Sequence, residues 1–284
     1  QYKSFSKAAD VMGNNQPNIT RCMNILENEL GCKLFIRSNR GVQLTIEGER
    51  LFEHVSIAIE QLVSGENELL KDKGLESGLV NIGASEIALH LFLLNELEVF
   101  HHHYPHVKLR ISNHSTPQAV QALENGLVDF AVVSTPVALK KPLQRIPLYS
   151  FHEILIGGEE YAEMASKKHS LQELQDIPLI GIAPGTSTRE LYTQYFMRHN
   201  LPFSPDMEVA TTDQILPMIQ HNLGIGFLPE ELAAEHIANG KIIQIPIAEP
   251  LPERKICLIR NVKRPQSIAA RSLEEHLTAH RETE

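Results

Sequence analysis

Residues 14–30, NNQPNITRCMNILENEL, decide the character of the N-terminal region. Asn15 can cap a helix, and Pro17 is tolerated in the first turn because no N–H donor is needed there. One apolar face is predicted by residues that recur at spacings of four, three and four: Ile19, Met23, Leu26 and Leu30. The stretch therefore predicts a helix that packs on one side only.

The opposite side of this helix is polar near its start. The residues expected there are Gln16, Pro17, Thr20, Arg21 and Asn24. Gln16 and Asn24 can form paired hydrogen bonds to adenine, and Arg21 can bind guanine or a phosphate. Thr20 can reach a base, a thymine methyl or the backbone. This front has the chemistry of a surface that lies in a DNA groove.

A shorter helix is predicted just before it. Ser6 can cap residues 7–12, and Gly13 suits the left-handed position that ends a helix. Two helices joined by a tight turn with glycine indicate a helix-turn-helix, whose second helix enters the major groove. Glu27 and Glu29 are expected at the rear of the second helix, the end furthest from the phosphates.

The following segment, KLFIRSNRGVQLT, predicts a wing. Residues 34–36 and 42–44 form its two strands, joined through SNRG. Arg37 and Arg40 beside this turn would contact the phosphate backbone or the minor groove. The alternative is a small helical subdomain whose polar face is merely solvated.

Composition and charge limit the classes of protein to which this chain can belong. A chain of 284 residues with 42% hydrophobic content is globular and long enough for two or three cores. Residues 1–45 carry six basic and three acidic residues, whereas the whole chain has a net charge of −9. A basic head on an acidic body indicates a nucleic-acid-binding module with another domain attached.

The cysteines and the hydropathy pattern indicate a compartment. Cys22, Cys32 and Cys257 lack metal-ligand spacing and suit a reducing environment, with a Cys22–Cys32 redox pair as the alternative. No stretch reaches the roughly 20 apolar residues of a membrane span, and no secretion signal is visible. We therefore expect a cytoplasmic protein without membrane contact.

A connector is predicted over residues 46–73. Thr45 can cap a long helix that runs through Lys71. This helix has an apolar seam at alternating spacings of four and three: Leu51, Val55, Ala58 and Leu62. A single exposed helix cannot hide such a seam, so we expect self-association through it. Packing of the seam against its own chain is the alternative.

The body, residues 77–284, alternates strands with helices and predicts an α/β fold. The first series has strands at 79–84, 107–112 and 127–134 and helices at 86–103 and 117–125. Such βαβαβ order implies a parallel sheet flanked by helices. The second series has strands at 152–158, 178–183, 207–211, 224–229, 241–247 and 255–260 and helices from Thr188, at 213–222 and from about Ser267.

Hydroxyl residues follow several of these strands where helices begin. They are Ser85, Ser115, Thr116, Thr186, Ser187, Thr188, Thr211 and Thr212. Ligands of open α/β sheets bind beyond the carboxyl ends of the strands, and helix N-termini favour anions. We expect a pocket for a small carboxylate or similar metabolite. Ordinary N-capping is the alternative, and Ser187 with Glu190 fits a capping box.

Signals for other chemistry are weak. The histidines of HHHYPH, residues 101–106, are expected at a solvated helix end rather than on a metal. GIGFLP lacks the third glycine of a dinucleotide fingerprint, and no catalytic triad can be assigned. We expect no catalytic residue, no metal and no cofactor. The alternative function is a small-molecule-binding protein or enzyme with a two-lobed α/β body and no DNA role.

The head resembles the N-terminal signature of the LysR-type transcriptional regulators. The matching features are the SFxxAA opening, the QPxIT segment, the LExELGxxLFxR stretch and the RGxxLTxxG wing exit. HNLGIGFLPEELA extends the resemblance into the body. The apolar first helix of the family is missing before Phe5, and we expect a truncated N-terminus. Asn15 and Asn18 replace the common Ser and Ala, which bears on base preference.

The resemblance implies a winged helix-turn-helix at 1–45, a dimerising linker helix at 46–73 and a periplasmic-binding-protein-like effector domain at 77–284. Its subdomain I would comprise 77–150 and 254–284, and its subdomain II 151–253. The chain would cross between them near Tyr149–Glu153 and Glu249–Arg254.

The family resemblance also implies the function. The protein would be a metabolite-responsive bacterial transcription regulator, a homotetramer that binds promoter DNA and a small effector in the interdomain cleft. The implied cleft residues are Ser85, Ser115, Thr116, Ser134, Thr186, Ser187 and Thr212. Effector binding would close the two lobes and change the grip of the heads on DNA.

Overall fold

The computed structural model describes Phe5, Ala8, Ala9, Gly13 and residues 15–38, 41–69 and 77–279. The chain divides into two compact units, Gln1–Glu66 and Asn67–Glu284. The predicted cap at Ser6 and the predicted contact residue Arg40 lie outside the described residues. None of the helices in the described ranges has the length and apolar content that a bilayer crossing requires.

The first unit contains helix α1, Gln16–Leu30, and an antiparallel pair of strands, β1 (Phe35–Ser38) and β2 (Gly41–Leu44). The predicted ends of α1 are confirmed. The Asn15 side chain accepts a hydrogen bond from the Asn18 N–H at 3.0 Å, and Gly31 closes the helix with φ of +68°. These local signals act within a few residues, which is why the sequence alone located them.

One prediction about the faces of α1 was wrong. Leu30, assigned to the apolar face, is 49% exposed. Glu27, expected at the rear of the helix, is only 3% exposed. The Glu27 carboxylate accepts hydrogen bonds from the N–H groups of Leu34 at 2.9 Å and Phe35 at 3.2 Å. It also pairs with Lys33 Nζ at 2.7 Å. Glu27 therefore ties α1 to the segment that enters the first wing strand, because its carboxylate accepts hydrogen bonds from two backbone N–H groups there.

This buried acid makes the stability of the first unit depend on pH. Hydrogen bonds from Lys33 and from the Leu34 N–H lower the pKa of Glu27 from 4.5 to about 2. A carboxyl with a depressed folded pKa stabilises the fold above its unfolded pKa. Its contribution is lost as the pH falls from about 4.5 towards 2.

We therefore expect Glu27→Gln to weaken the acid dependence of unfolding of the first unit. Between pH 4.5 and about 2, the wild type should lose more stability than the variant. Urea unfolding followed by circular dichroism at each pH measures this difference. Glu29→Gln, which removes an exposed acid of the same helix, is the control. Parallel pH curves for wild type and Glu27→Gln would contradict the assignment.

Helix α2 spans Ile46–Leu69 and begins with the predicted cap. Thr45 Oγ1 accepts a hydrogen bond from the Gly48 N–H at 3.0 Å. Gly48 lies so close to the preceding chain that a Cβ at this position would stand 2.1 Å from the backbone oxygen of Leu34. Only glycine permits this approach, which gives the last glycine of the wing exit a packing reason.

The apolar seam of α2 is largely exposed. Val55, Ala58 and Leu62 of the predicted seam are exposed, and Leu51 is half-buried. Phe52 and Ile59, which the seam pattern did not include, are also more than half exposed. Within the described part of the chain this stripe is therefore largely exposed.

The second unit contains two five-stranded sheets, and each forms the centre of a lobe. The first sheet, in lobe I, has the order β4-β3-β5-β12-β6. Its strands are β3 (Gly78–Ala84), β4 (Val107–Asn113), β5 (Phe130–Ser134), β6 (Leu143–Phe151) and β12 (Arg254–Asn261). The predicted βαβαβ series β3–β4–β5 is parallel, while β12 pairs antiparallel with β5 and β6.

Helices cover both faces of this sheet. The predicted helix at 86–103 is interrupted: α3 (Glu86–Ala88) continues through a π turn (Leu89–Leu93) into α4 (Leu94–His103). Helix α5 spans Thr116–Asn125, and the C-terminal helix α9 spans Ile268–Ala279. Helices α4 and α9 pack on one face of the sheet, and α5 packs on the other.

The second sheet, in lobe II, has the order β11-β7-β10-β8-β9. Its strands are β7 (Glu153–Gly157), β8 (Leu179–Ile182), β9 (Met207–Val209), β10 (Ile225–Pro229) and β11 (Ile243–Ile245). Its helices are α6 (Ser187–Arg198), α7 (Ile215–Gln220) and α8 (Glu230–Ala238), with 3₁₀ turns at Glu159–Ser166 and Thr212–Gln214. The sequence predicted neither β6 nor α8, and β7 pairs antiparallel with both of its neighbours.

The chain passes between the two sheets twice. Only His152 separates β6, in lobe I, from β7, in lobe II. The return lies between Ile245, at the end of β11, and Arg254, at the start of β12. Two extended connections therefore join the lobes side by side, an arrangement suited to hinge motion.

Candidate functional site

The polar front of α1 is exposed. Solvent reaches Gln16, Pro17, Asn18, Arg21 and Asn24, and Thr20 is half-buried. All of them lie in the first nine residues of the helix, the part that enters the groove in a helix-turn-helix. These six residues are therefore accessible, wholly or in part, along the N-terminal half of α1.

The wing arginine lies beside this front. Arg37 Nη2 donates a hydrogen bond to Asn24 Oδ1 at 2.6 Å, and its guanidinium stands 5.1 Å from the centre of the Phe5 ring. Arg37 is itself exposed. A cation and an amide predicted to contact DNA therefore lie next to each other, one on β1 and one on α1.

A cleft of about 390 Å³ lies between lobes I and II. All seven hydroxyl residues implied by the resemblance line it: Ser85, Ser115, Thr116, Ser134, Thr186, Ser187 and Thr212. Thr188 and Thr211 line it as well. Five segments that are distant in sequence thus contribute hydroxyls to a single surface.

Helix capping accounts for only part of this set. Ser85 caps α3, Ser115 caps α5 together with Gln118, and Thr186 caps α6 by accepting from the Arg189 N–H at 3.1 Å. The predicted capping box of Ser187 and Glu190 was wrong, because Ser187 is the first residue within α6.

The remaining hydroxyls have other partners. Thr116 Oγ1 donates to the Ser134 carbonyl oxygen at 3.1 Å, and the Ser134 hydroxyl lies at the end of β5. Capping therefore does not explain why Ser134, Ser187 or Thr188 faces this cleft.

The cleft contains one acid among its lining residues, Glu86. Its carboxylate accepts from Asn113 Nδ2 at 2.5 Å and contacts His90 Nε2 at 3.0 Å. No lysine or arginine is among the described lining residues. Apart from Glu86, the polar groups of the described lining are therefore hydroxyls, amides, imidazole and backbone.

A buried ion pair lies directly behind the cleft, and sequence reasoning missed it. Arg254 and Glu153 have side chains only 1% and 3% exposed, and Arg254 Nη1 lies 2.7 Å from Glu153 Oε1. Tyr192 donates its hydroxyl proton to Glu153. Burial, followed by the charge of Glu153, raises the pKa of Tyr192 well above 10. The available signal was the position of both charges at the predicted crossings between the subdomains.

Arg254 contacts both lobes with its remaining nitrogens. Nε donates to the Thr135 carbonyl oxygen at 2.8 Å. Nη2 donates to Ser134 Oγ at 3.0 Å and to Thr188 Oγ1 at 3.1 Å. One guanidinium therefore links the floor of the cleft in lobe I to that in lobe II.

The histidine stretch and the cysteines are the two remaining features that the sequence singled out. Within residues 15–38, 41–69 and 77–279, no cluster of His, Cys, Asp or Glu is arranged to hold a metal ion. His103 Nδ1, in the HHHYPH stretch, instead lies 2.8 Å from the Val99 carbonyl oxygen. Cys22, Cys32 and Cys257 are free thiols.

A winged helix-turn-helix together with a two-lobed α/β body and a polar cleft defines a class, the ligand-responsive DNA-binding regulators. Residues 1–49 match the family of bacterial regulatory helix-turn-helix proteins of the lysR type, and residues 73–282 match the LysR substrate binding domain. The chain therefore belongs to the LysR family of transcriptional regulators. The predicted family, fold class and regulatory function are confirmed.

Similar proteins span most of the chain. The HTH-type transcriptional regulator BbuR of Bordetella bronchiseptica is 28% identical over 252 residues, covering 89% of this chain and 76% of BbuR. Full-length CbnR in complex with its target DNA is 18% identical, with a TM-score of 0.73 over 97% of this chain and 94% of CbnR. The effector binding domain of QuiR in complex with shikimate is 17% identical, with a TM-score of 0.62 over 72% of this chain and 97% of the QuiR domain. The two structural likenesses show the fold.

Proposed function

We propose that this regulator reads promoter DNA with the front of α1 and the wing, and that it responds to a small anionic effector held in the cleft between lobes I and II. The DNA-contacting residues are Gln16, Pro17, Asn18, Thr20, Arg21, Asn24, Arg37 and Arg40. The effector-contacting residues are Ser85, Ser115, Thr116, Ser134, Thr186, Ser187 and Thr212. The protein acts in the cytoplasm as a regulator without catalytic activity.

The observation that carries the effector proposal is the convergence of hydroxyls from both lobes on one cleft. A ligand that bonds to both lobes binds the closed arrangement more tightly than an open one, and it therefore stabilises the closed arrangement. The caps Ser85, Ser115 and Thr186 line the same space, and the partial positive charge of a helix N-terminus favours a negative group. A small carboxylate meets both requirements.

The DNA proposal rests on the exposed polar front of α1. Its amides and its arginine match the donor and acceptor pattern of the major groove, and Arg37 adds a cation at the edge. CbnR, a protein of the same fold, has been solved with its target DNA. Specificity is expected from the bases that Gln16, Arg21 and Asn24 reach.

We also propose a homotetramer in which α2 pairs two chains. The exposed stripe of Phe52, Val55, Ile59 and Leu62 repeats at spacings of three and four, as in a two-helix seam. Pairing would place two heads on two half-sites and multiply their affinity for DNA.

The functional boundaries proposed are 1–45 for the head, 46–73 for the linker and 77–284 for the effector domain. Within the last, subdomain I is 77–150 with 254–284, and subdomain II is 151–253.

A test of the cleft uses the full-length protein, a thermal-shift screen of small carboxylates and Ser187→Leu. A carboxylate present at 100 times its Kd should stabilise the protein by about 2.7 kcal/mol. Ser187→Leu places an isobutyl group at the cleft wall and should abolish that stabilisation. Gln194→Leu, an exposed position on the same helix outside the cleft, is the matched control. Equal stabilisation of both variants would contradict the proposed site.

A footprinting experiment tests the DNA part independently. The full-length protein should protect a segment upstream of its own or of a neighbouring gene, and the stabilising carboxylate should change the protected length. Absence of any protected genomic segment would overturn the regulatory proposal for these DNA-contacting residues. Chemical turnover of a cleft ligand without protection would favour an enzyme instead.

A further inference from the structure

Three hydroxyls at the floor of the cleft serve as acceptors for fixed N–H donors. Ser85 Oγ accepts from the N–H groups of Ala88 at 3.4 Å and Ser134 at 3.2 Å. Ser134 Oγ and Thr188 Oγ1 both accept from Nη2 of Arg254. All three residues line the cleft. In the part of the chain that the structure describes, none of the three hydroxyl protons is donated to a protein acceptor.

The donors fix which way these hydroxyls act. A serine or threonine hydroxyl has one proton to donate and two lone pairs that accept. Because a guanidinium nitrogen and a backbone N–H only donate, they occupy lone pairs and leave the proton for another partner. A further partner of the Ser85, Ser134 or Thr188 hydroxyl proton must therefore be an acceptor, and all three residues line the cleft.

Arg254 holds this arrangement rigidly. Its charge is permanent, its donors form a planar fork, and its side chain is 1% exposed. Glu153 accepts from Nη1, and the Thr135 carbonyl accepts from Nε, so Nη2 remains for the two hydroxyls. Ser134 belongs to lobe I and Thr188 to lobe II, so the same nitrogen sets the hydroxyl direction on both sides of the cleft.

We propose that Arg254 is a positioning residue that makes the cleft selective for a carboxylate over the matching amide. The inference rests on the proposed effector site and names the ligand group that its floor accepts. A carboxylate offers acceptors in all directions and bonds to Ser85, Ser134 and Thr188 together. An amide offers one oxygen, and its NH₂ group would face a hydroxyl proton.

The test compares acids with their amides on the full-length protein. The probes are succinate with succinamide and benzoate with benzamide, measured by isothermal titration calorimetry at pH 7.5. We expect the wild type to bind at least one acid roughly tenfold to a hundredfold more tightly than its amide, as hydrogen bonds to a charged group imply.

Two variants separate positioning from folding. Arg254→Met with Glu153→Gln removes both buried charges together and should bring the acid-to-amide affinity ratio near one, with amide affinity retained. Tyr192→Phe removes a hydroxyl from the same buried network without touching the cleft hydroxyls, and it should keep the wild-type ratio. Circular dichroism and melting curves establish that both variants are folded.

Each other outcome has a distinct meaning. A double variant that keeps the wild-type ratio, or a wild type that binds acids and amides equally, overturns the role of Arg254 but leaves the cleft as an effector site. A wild type that binds neither series also overturns it, and DNA protection then reports separately on the regulatory proposal. Selective acid binding with no change in DNA protection would support Arg254 and contradict the proposed effector response.

Discussion

Arg254→Met is expected to lower the free energy of unfolding of the second unit by about 3–5 kcal/mol, the usual loss when one partner of a buried ion pair is removed. Glu153 would then remain buried with its charge uncompensated, and Ser134 and Thr188 would lose their shared donor. Urea unfolding at pH 7.5, followed by circular dichroism, measures the loss.

Two variants identify its cause. Combining Arg254→Met with Glu153→Gln should recover most of the lost stability, because replacing both charges of a buried pair is often nearly neutral. Arg145→Met, on the exposed side of β6, should change stability by no more than about 0.5 kcal/mol. If Arg254→Met is no worse than Arg145→Met, the ion pair does not stabilise the junction of the lobes.

Arg21→Ala is expected to weaken binding to the protected promoter segment by roughly 10- to 100-fold, corresponding to about 1–3 kcal/mol for one lost base contact. Arg21 is exposed on the front of α1, and its alanine variant leaves the helix cap and the buried Glu27 contacts intact. A gel-shift titration of the full-length protein at several salt concentrations measures the loss.

The salt dependence reports the kind of contact. If Arg21 contacts a base, its loss should relax the sequence preference and leave the salt slope unchanged. If Arg21 contacts a phosphate, its loss should reduce the salt slope by about one. Arg50→Ala, which removes an exposed cation from α2 in the same unit, is the matched control. Equal affinity of wild type and Arg21→Ala would remove Arg21 from the DNA surface.

Local patterns in the sequence determined most elements of the fold. The cap at Asn15, the glycine at Gly31 and the wing strands were located because each signal acts within a few residues of the structure it specifies. The hydroxyls of the cleft were found for a related reason. The carboxyl ends of parallel strands lie at one edge of a sheet. The convergence of residues that follow separate strands can therefore be predicted without knowing their contacts.

Local signals were weaker where several hydroxyls stood together. Thr186, Ser187 and Thr188 are all competent caps, and the sequence favoured Ser187, whereas the structure uses Thr186. The strand β6 and the helix α8 were missed, and the periodicity left the direction of β7 open; this strand pairs antiparallel with both of its neighbours. Strand direction depends on how the chain returns, which periodicity does not encode.

Only the tertiary structure decided which charged residues are buried and which partners they have. Glu27 is an acid in a polar stretch of sequence, yet its carboxylate is buried, where it accepts hydrogen bonds from the N–H groups of Leu34 and Phe35. Arg254 and Glu153 are 101 residues apart and meet only because both crossings between the lobes lie side by side. The sequence by itself determined which residues have the chemistry for DNA and for an anion. Which charges are buried, and which hydroxyls accept hydrogen bonds from Arg254, follows from contacts between distant segments, because burial is a property of the packed fold.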